Sequence, residues 1–377
     1  MKKHLIIAAL TACVLITAGC GSSEADLSRP AADTVDAADT ANTADTAATD
    51  TADTDTADDV DAADTADTAD TADTGYDVLA DDEEKIPAAD NLGDELLSSA
   101  PRIVCWGDSL TEGTGGGGVS YPGVLSDLSG CKVLNYGVYA ERASLIAARQ
   151  GGNPQHIEGI SEIPAEVTSL KVNVVGDNGD WELWCNYGDA GINPCEIAGV
   201  KGNLSIDESD GSRYFTRLEE GEAAVACSAN NSFTTYAMLD KDPDDILVIW
   251  AGSSDGLFDD GNIDTVIEHI KSMISYAGCS KYVVINYTAK YNIGSAIDDW
   301  NNRLADEFGN NCLDIRGYLL NNGLADAGIT PTDEDKKCIA SGEIPESLRS
   351  DESHGTADFY RIVGEQVYKK LKELNYL

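Results

Sequence analysis

Basic residues are scarce in this chain of 377 residues, in which 25 lysines and arginines stand against 67 aspartates and glutamates and the formal net charge is −42. The negative charge is divided about evenly between the first hundred residues and the rest. Both parts would repel nucleic acid and anionic lipid headgroups. We therefore expect no nucleic-acid partner, and we expect any membrane contact to come from an anchor rather than from charge.

Motifs for metals and phosphates are also missing. No two cysteines have Cys-x-x-Cys spacing and no His-Glu-x-x-His occurs, so the sequence does not predict zinc binding. The four glycines at residues 115–118 are not followed by Gly-Lys-Ser or Gly-Lys-Thr, which favours a flexible loop over a phosphate-binding loop. We expect neither a metal ion nor an organic cofactor.

The apolar run at residues 5–16 is too short to span a bilayer stably. Two lysines precede it and small residues with Cys20 follow it, which is typical of an export signal. The arrangement resembles a bacterial lipoprotein signal, in which the cysteine is acylated, although Thr17 stands where an aliphatic residue is usual. We predict a lipoprotein signal peptide at residues 1–20 with lipidation of Cys20, which would place the protein on the outer face of the cell membrane. The alternative is a simple secretory signal cleaved nearby.

Eight further cysteines follow Cys20, an even number in a chain that leaves the reducing cytosol. We expect some of them to pair, and Cys185 and Cys195 are the first candidates because they are close in sequence. Cys105 lies in an apolar run, where it can serve as a small buried hydrophobic residue.

Residues 31–74 repeat Ala-Asp-Thr with almost no large apolar residue. Such a segment cannot bury enough surface to offset its chain entropy, and its aspartates repel one another. We predict a disordered acidic linker at residues 21–99, which would act as a stalk between an anchor and the domain that follows.

After residue 100 the pattern changes to alternating strands and helices. Predicted strands lie at residues 102–106, 132–136, 245–250, 281–287 and 312–318, and predicted helices at residues 121–128, 263–276, 296–308 and 357–371. This alternation predicts an α/β fold with a parallel sheet covered on both faces.

The alternation breaks at residues 152–241, where short β-branched and aromatic runs are separated by Gly, Asp and Asn turns. We predict a small antiparallel β domain inserted into an α/β core formed by residues 100–151 and 242–377. Trp181 and Trp184 in the insert could stack on sugar rings, or at least one could pack in the core of the β domain itself.

A serine follows the first predicted strand directly, in the sequence Gly107-Asp108-Ser109. The carboxyl ends of the strands in an open α/β sheet are where ligands bind. Ser109 would be exposed to a substrate there, and backbone N–H groups of the following loop could stabilise a developing oxyanion.

Four histidines limit the choice of a general base for Ser109. His4 is removed with the signal, His156 lies near the start of the insert, and His269 is predicted on the surface of a helix. The remaining His354 follows Asp351 by three residues, a spacing at which the carboxylate can hold the imidazole in the tautomer that accepts a serine proton.

Three ordered motifs make the α/β part of the chain resemble the GDSL or SGNH hydrolase family. Residues 107–110 read Gly-Asp-Ser-Leu, residues 135–137 read Asn-Tyr-Gly, and residues 351–354 read Asp-Glu-Ser-His. The resemblance implies a flavodoxin-like three-layer α/β/α core.

By this resemblance Ser109 is the nucleophile and an oxyanion donor, Gly137 supplies a second N–H, His354 is the base and Asp351 orients it. One motif departs, because residues 252–255 read Gly-Ser-Ser-Asp and Ser254 replaces the asparagine that is the third oxyanion donor of the family. Loss of one such donor typically lowers kcat about 10²- to 10³-fold. We expect a slower enzyme, a donor supplied from elsewhere such as the insert, or a relative without activity.

Together with the predicted lipoprotein signal, the resemblance implies an extracellular, surface-tethered serine esterase that acts on an acylated small molecule or polysaccharide. For a tethered enzyme of this family we expect an O-acetyl esterase acting on a cell-wall or environmental polysaccharide, and the few large apolar residues that flank the motifs favour small acyl groups. One alternative is a lipase or lysophospholipase. The other is a surface glycan-binding lipoprotein that has lost activity, which the Ser254 replacement would favour.

Overall fold

The computed structural model of the protein describes residues 101–176, 188–255, 262–288 and 294–377. The predicted signal peptide with Cys20, the predicted acidic linker, Trp181, Trp184 and Cys185 lie outside these ranges. No helix within the described ranges is both long and apolar enough to cross a membrane.

The described residues form the following strands and helices. The strands are β1 (Ile103–Gly107), β2 (Val133–Gly137), β3 (Gln155–Glu158), β4 (Glu162–Ile163), β5 (Ser169–Gly176), β6 (Cys195–Ile197), β7 (Val200–Ile206), β8 (Arg213–Arg217), β9 (Val225–Ala226), β10 (Asn231–Thr234), β11 (Ile246–Trp250), β12 (Lys281–Ile285) and β13 (Cys312–Leu313). The α-helices are α1 (Ser109–Glu112), α2 (Tyr121–Ser129), α3 (Ala143–Gln150), α4 (Tyr236–Leu239), α5 (Ile263–Ala277), α6 (Ile297–Phe308), α7 (Ile315–Asp326), α8 (Asp333–Ala340) and α9 (Ala357–Glu373).

Five parallel strands form the central sheet in the order β13-β12-β11-β1-β2. When the five strands of this sheet alone are numbered in chain order, the arrangement is the flavodoxin-like order 2-1-3-4-5. In this order the first strand lies beside the point where the direction of winding reverses. Every residue of β1 and β11 is buried, as expected for strands covered on both faces. The sheet therefore presents the carboxyl end of β1 at the position where this architecture binds ligands.

Two layers of helices cover the sheet because successive side chains of a strand point to opposite faces. Val104 and Trp106 pack in a core with residues of α3, α5 and α6, whereas Ile103 and Cys105 pack in a second core with residues of α2, α7 and α9. The predicted three-layer α/β/α fold is confirmed.

The insert forms a closed antiparallel barrel with strand order β10-β3-β5-β8-β7-β6, and β4 pairs with β9 outside it. Alternate residues of β7 and β8 are buried, which is the pattern of a strand with one face toward a core. Val174, Leu204, Phe215 and Phe233 contribute to that core. The predicted antiparallel β domain is confirmed.

Two points of the barrel segment, one before β6 and one directly after β10, meet the α/β core at α3. Arg149 donates from Nη1 to the backbone oxygen of Ala190 at 2.5 Å, and the Thr235 hydroxyl donates to the backbone oxygen of Arg149 at 2.8 Å. Gly191 has a positive φ of 79°, and a Cβ there would lie 3.3 Å from both Trp106 and Tyr136. The barrel is thus attached to the end of the sheet that carries Ser109.

The described cysteines include buried thiols in both parts of the structure. Cys105 is fully buried in β1 as a free thiol, and burial raises its pKa to about 12. Pairing of Cys185 with Cys195 stays a prediction because Cys185 lies outside the described ranges.

Candidate active site

Ser109 is the first residue of α1, directly after the turn that ends β1. Asp108 caps this short helix, since its Oδ1 accepts the N–H of Leu110 at 3.0 Å. A Cβ at Gly107 would lie 2.4 Å from the backbone oxygen of Trp250, so only glycine fits the turn beside β11. These local constraints place Ser109 at the carboxyl rim of the sheet.

His354 reaches Ser109 from the loop before α9. Its Nε2 lies 2.9 Å from Ser109 Oγ, and its Nδ1 lies 2.8 Å from Asp351 Oδ2. Because the carboxylate can only accept, Nδ1 carries the proton in the neutral ring and Nε2 is left to accept from the serine hydroxyl. The structure thus brings together the nucleophile, base and orienting carboxylate that the sequence predicted.

Asp351 is held ionised by three hydrogen bonds. Its Oδ2 bonds to the His354 ring, and its Oδ1 accepts the backbone N–H groups of Ser353 and His354, both at 2.8 Å. The bond to the His354 ring is the largest influence, and together these bonds lower the pKa of Asp351 to about 2. A negative charge therefore stands behind the imidazole at neutral pH.

Asp108 is a second carboxyl group beside Ser109, and its side chain is fully buried. Burial raises the pKa of Asp108 to about 7, while the bond from the Leu110 N–H and the nearby His354 act in the opposite direction. Asp108 therefore belongs to the electrostatic environment of Ser109 as well as to the helix cap. In the sequence, Asp108 is recognisable only as part of the Gly-Asp-Ser motif.

The loop between β2 and α3 forms the neighbouring wall of the site. The Val138 N–H donates to the backbone oxygen of Gly107 at 3.1 Å, which fixes the loop to the turn before Ser109. The Tyr139 ring stacks on the His354 ring with 5.9 Å between their centres. Ala140 has a φ of 60°, in the left-handed region that favours glycine.

Gly137 does not offer the free N–H that the sequence analysis assigned to it. That N–H donates to Asn135 Oδ1 at 2.9 Å. A Cβ at Gly137 would lie 2.1 Å from the backbone nitrogen of Glu112, so glycine is required here for packing. In contrast, neither the Ser109 N–H nor the Ala140 N–H donates to any residue of the described ranges. We therefore replace Gly137 with Ala140 as the second candidate donor.

Ser254 lies in the turn after β11 and is buried. Gly252 allows this turn through a φ of 109°, and the Asp255 N–H donates to the backbone oxygen of Gly252. Asp255 Oδ2 accepts the Ala143 N–H at 2.9 Å, which caps α3 from a distant part of the chain. This carboxylate joins the turn that carries Ser254 to the loop that carries Ala140.

The other described histidines are outside the hydrogen-bonded set of Ser109, His354 and Asp351. His156 lies on β3, with its Nε2 3.6 Å from Glu158, and His269 lies on α5. His269 is partly buried rather than fully on the surface, and burial lowers its pKa. Within the described ranges, no three His, Cys, Asp or Glu side chains are placed to hold a metal ion.

No protein-family model and no curated protein matches the chain. Among solved structures, it is similar to a putative lipolytic protein of the G-D-S-L family from Desulfitobacterium hafniense DCB-2, at 16% identity and a TM-score of 0.38, covering 72% of this chain and 99% of that one. A G-D-S-L family member from Veillonella parvula DSM 2008 gives 12%, 0.36, 72% and 97%, and a peptidoglycan O-acetylesterase gives 12%, 0.33, 75% and 95%. Likenesses this distant assign no activity to the chain.

Proposed function

We propose that the protein is a serine hydrolase that cleaves ester bonds through an acyl-serine intermediate. The observation that carries the proposal is the continuous hydrogen-bonded set of Ser109 Oγ, the His354 ring and the Asp351 carboxylate at the rim of the sheet. Nucleophile, base and orienting group within hydrogen-bond reach are the geometric signature of an activated serine.

In the first half of the reaction, Ser109 Oγ attacks the ester carbonyl carbon while His354 Nε2 takes the serine proton. The tetrahedral intermediate then collapses, the bond to the alcohol oxygen breaks, and the alcohol leaves with the proton from His354. In the second half, water attacks the acyl-serine with His354 again as base, and the acid and free Ser109 are released. Asp351, ionised above about pH 2, stabilises the imidazolium in both halves.

The Ser109 and Ala140 N–H groups are the proposed donors to the oxyanion. Both belong to the turn and the loop that meet at the Gly107 carbonyl, and neither has a partner in the described ranges. Ser254 can add its hydroxyl as a weaker third donor, because a hydroxyl is shorter than an asparagine amide and rotates freely.

The proposed substrate is an O-acetylated carbohydrate, either of a cell wall or of an environmental polysaccharide. The excess of acidic residues disfavours anionic phospholipid surfaces but permits a neutral sugar ester. Lipase or lysophospholipase activity is the competing esterase function, and a preference for long acyl chains would favour it.

The proposed location is the outer face of a bacterial cell membrane, where a lipid on Cys20 would serve as the anchor and residues 21–99 as the stalk. This part of the proposal rests on the sequence alone, through the short apolar run before Cys20 and the Ala-Asp-Thr repeats after it.

Ser254 favours a second candidate function, in which the protein binds glycans at the cell surface and has lost hydrolysis. The site would then bind an acetylated glycan without releasing acetate. Such binding together with intact acetyl groups is the result that would support this candidate.

The test is hydrolysis of p-nitrophenyl acetate, butyrate and octanoate by the purified protein and its Ser109→Ala variant. We expect the acetate ester to be hydrolysed fastest and turnover to fall to background in Ser109→Ala. Ser129→Ala, which changes a serine at the end of α2, serves as the matched control and should keep full activity. No turnover above Ser109→Ala in folded wild-type protein would contradict the proposal.

A further inference from the structure

We infer that the buried ion pair of Glu141 and Arg149 is a positioning device that holds the β2–α3 loop in its reactive shape and locks this loop to the inserted barrel. The inference rests on the proposed function, because this loop carries the Ala140 N–H that is the proposed oxyanion donor. Neither residue is part of the hydrogen-bonded set of Ser109, His354 and Asp351.

Arg149 is fully buried, and Glu141 is 1% exposed. The Arg149 Nε and Nη2 atoms lie 2.7 and 2.6 Å from Glu141 Oε2. The guanidinium also donates to the backbone oxygens of Tyr136 at 3.0 Å and Ala190 at 2.5 Å, and it lies 5.2 Å from the centre of the Trp106 ring. One side chain therefore contacts the end of β2, the loop after it and the inserted segment before β6.

Stability alone is a poor explanation for this pair. Removing two charges from water is costly, and a well-packed apolar pair of similar volume often stabilises a fold equally well. Glu141 Oε1 has no hydrogen-bond partner within the described part of the chain, so the carboxylate is not fully satisfied. A directional contact in which two guanidinium nitrogens meet one carboxylate oxygen is better explained by the geometry that it imposes.

The β2–α3 loop contains a residue in an unfavourable backbone conformation, which the surrounding structure must stabilise. Ala140 has a left-handed backbone, which a residue with a Cβ adopts only where its surroundings over-determine it. Glu141 follows Ala140 directly, and its N–H closes the turn on the Val138 oxygen at 3.4 Å. Asp255 fixes the far end of the loop at Ala143. The Arg149 contact to Glu141 therefore acts next to the residue whose conformation is least favourable.

The experiment compares Glu141→Ala, Glu141→Gln and Arg149→Lys in the full chain with p-nitrophenyl acetate. We expect Glu141→Ala to lower kcat about 100-fold with KM changed less than about threefold, as for loss of one oxyanion donor. Glu141→Gln keeps an acceptor oxygen for Arg149 and should recover kcat to within about tenfold of wild type. Arg149→Lys keeps the charge but loses the fork, and should resemble Glu141→Ala.

Asp245→Asn is the matched control, because Arg102 and Asp245 form an ion pair 2.7 Å apart directly before β1 and β11, at the end of the strands opposite Ser109. We expect it to lower the melting temperature and leave kcat unchanged. A loss of kcat in Glu141→Ala no greater than in Asp245→Asn would overturn the inference.

Amide hydrogen exchange gives a second readout that does not depend on hydrolysis. Glu141→Ala should accelerate exchange at residues 138–142 and 188–192, and Asp245→Asn should not. Unchanged exchange in these two segments would overturn the inference, even in a protein with full activity. Absence of ester hydrolysis in the wild type would overturn the proposed function alone, and the exchange result would still decide the role of the pair.

Discussion

Asp108 and Asp351 lie near the same serine, and their surroundings give these two identical side chains very different pKa values. Full burial raises the pKa of Asp108 to about 7, and hydrogen bonds lower the pKa of Asp351 to about 2. Two carboxyl groups with separated pKa values take different roles. Asp351 holds a permanent charge behind His354, whereas Asp108 carries little charge below neutral pH and serves mainly as the cap before Ser109.

Replacing Ser254 by asparagine should restore a longer and more rigid donor in the turn after β11. We expect Ser254→Asn to raise kcat on p-nitrophenyl acetate about 10-fold or more, since one oxyanion donor typically contributes 10²- to 10³-fold. Ser253→Asn, at the preceding residue, is the control and should bring no gain. An unchanged kcat in folded Ser254→Asn would show that the third donor already comes from elsewhere.

Ser109, Asp351 and His354 could be predicted from sequence because each lies in a short local motif next to a recognisable strand or helix. Ala140 and Tyr139 could not, since their importance comes from a left-handed backbone and a ring contact with a distant histidine. For Arg149 the sequence does contain one signal of its role.

That signal is an arginine near the end of the mostly apolar segment at residues 143–150, and in the structure every residue of this segment is buried. Since buried arginines are rare without a partner, such a position predicts a carboxylate nearby. Glu141, eight residues earlier, was the available candidate.

At the scale of elements, the loop that carries Asp351 and His354 is fixed at both ends. The Ser350 N–H donates to the backbone oxygen of His354 at 2.9 Å, and Arg349 pairs with Gly355 as an antiparallel bridge. Upstream, the fully buried Asp335 of α8 accepts from the backbone N–H and hydroxyl of Ser347. Helix α8 is therefore an anchor for the loop that carries Asp351 and His354.

Asp335→Asn tests this anchor through its pH dependence. Burial raises the pKa of Asp335, but hydrogen bonds from Ser347 and Thr332 together outweigh burial and lower the pKa to about 2. The stabilisation is therefore present above the ordinary carboxyl pKa near 4 and is lost as pH falls through about 2. We expect the variant to lose about 2 kcal/mol of unfolding free energy at pH 7, with the difference from wild type shrinking between about pH 4 and pH 2. Urea unfolding at several pH values measures it.

The control for this prediction is Asp333→Asn on the same helix. Asp333 is largely exposed and forms a surface ion pair with Lys336, so its replacement should change stability little at any pH. An equal loss of stability in both variants would show that α8 responds to charge in general and that Asp335 is not a specific anchor.

The strands differ in how far sequence could predict them. β1 and β11 are continuous apolar runs, and burial on both faces follows from that composition. β7 and β8 alternate, and one-sided burial follows from the alternation. Closure of the barrel could not be predicted, because β10 must pair with both β3 and β6, and such long-range pairing leaves no local signal.

At the scale of the whole molecule, replacing Cys20 tests the proposed membrane anchoring separately from the proposed ester hydrolysis. In a bacterial host fed a labelled fatty acid, we expect the wild-type protein to be labelled and to sediment with membranes, and Cys20→Ser to be unlabelled. Cys13→Ser, within the apolar run, is the control and should stay labelled. Ester hydrolysis should be equal in all three, and labelling of Cys20→Ser would contradict the predicted anchor.

The barrel enters and leaves the α/β core at neighbouring points, since Thr235 bonds to the backbone of Arg149 at the end of α3. An insertion whose two ends meet can be exchanged for another of different shape without moving the strands on which the nucleophile is mounted. Evolution could therefore change the inserted barrel, and with it the ligand that is recognised, while the strands that carry Ser109 stay the same. A protein engineer could exchange the barrel between related proteins in the same way.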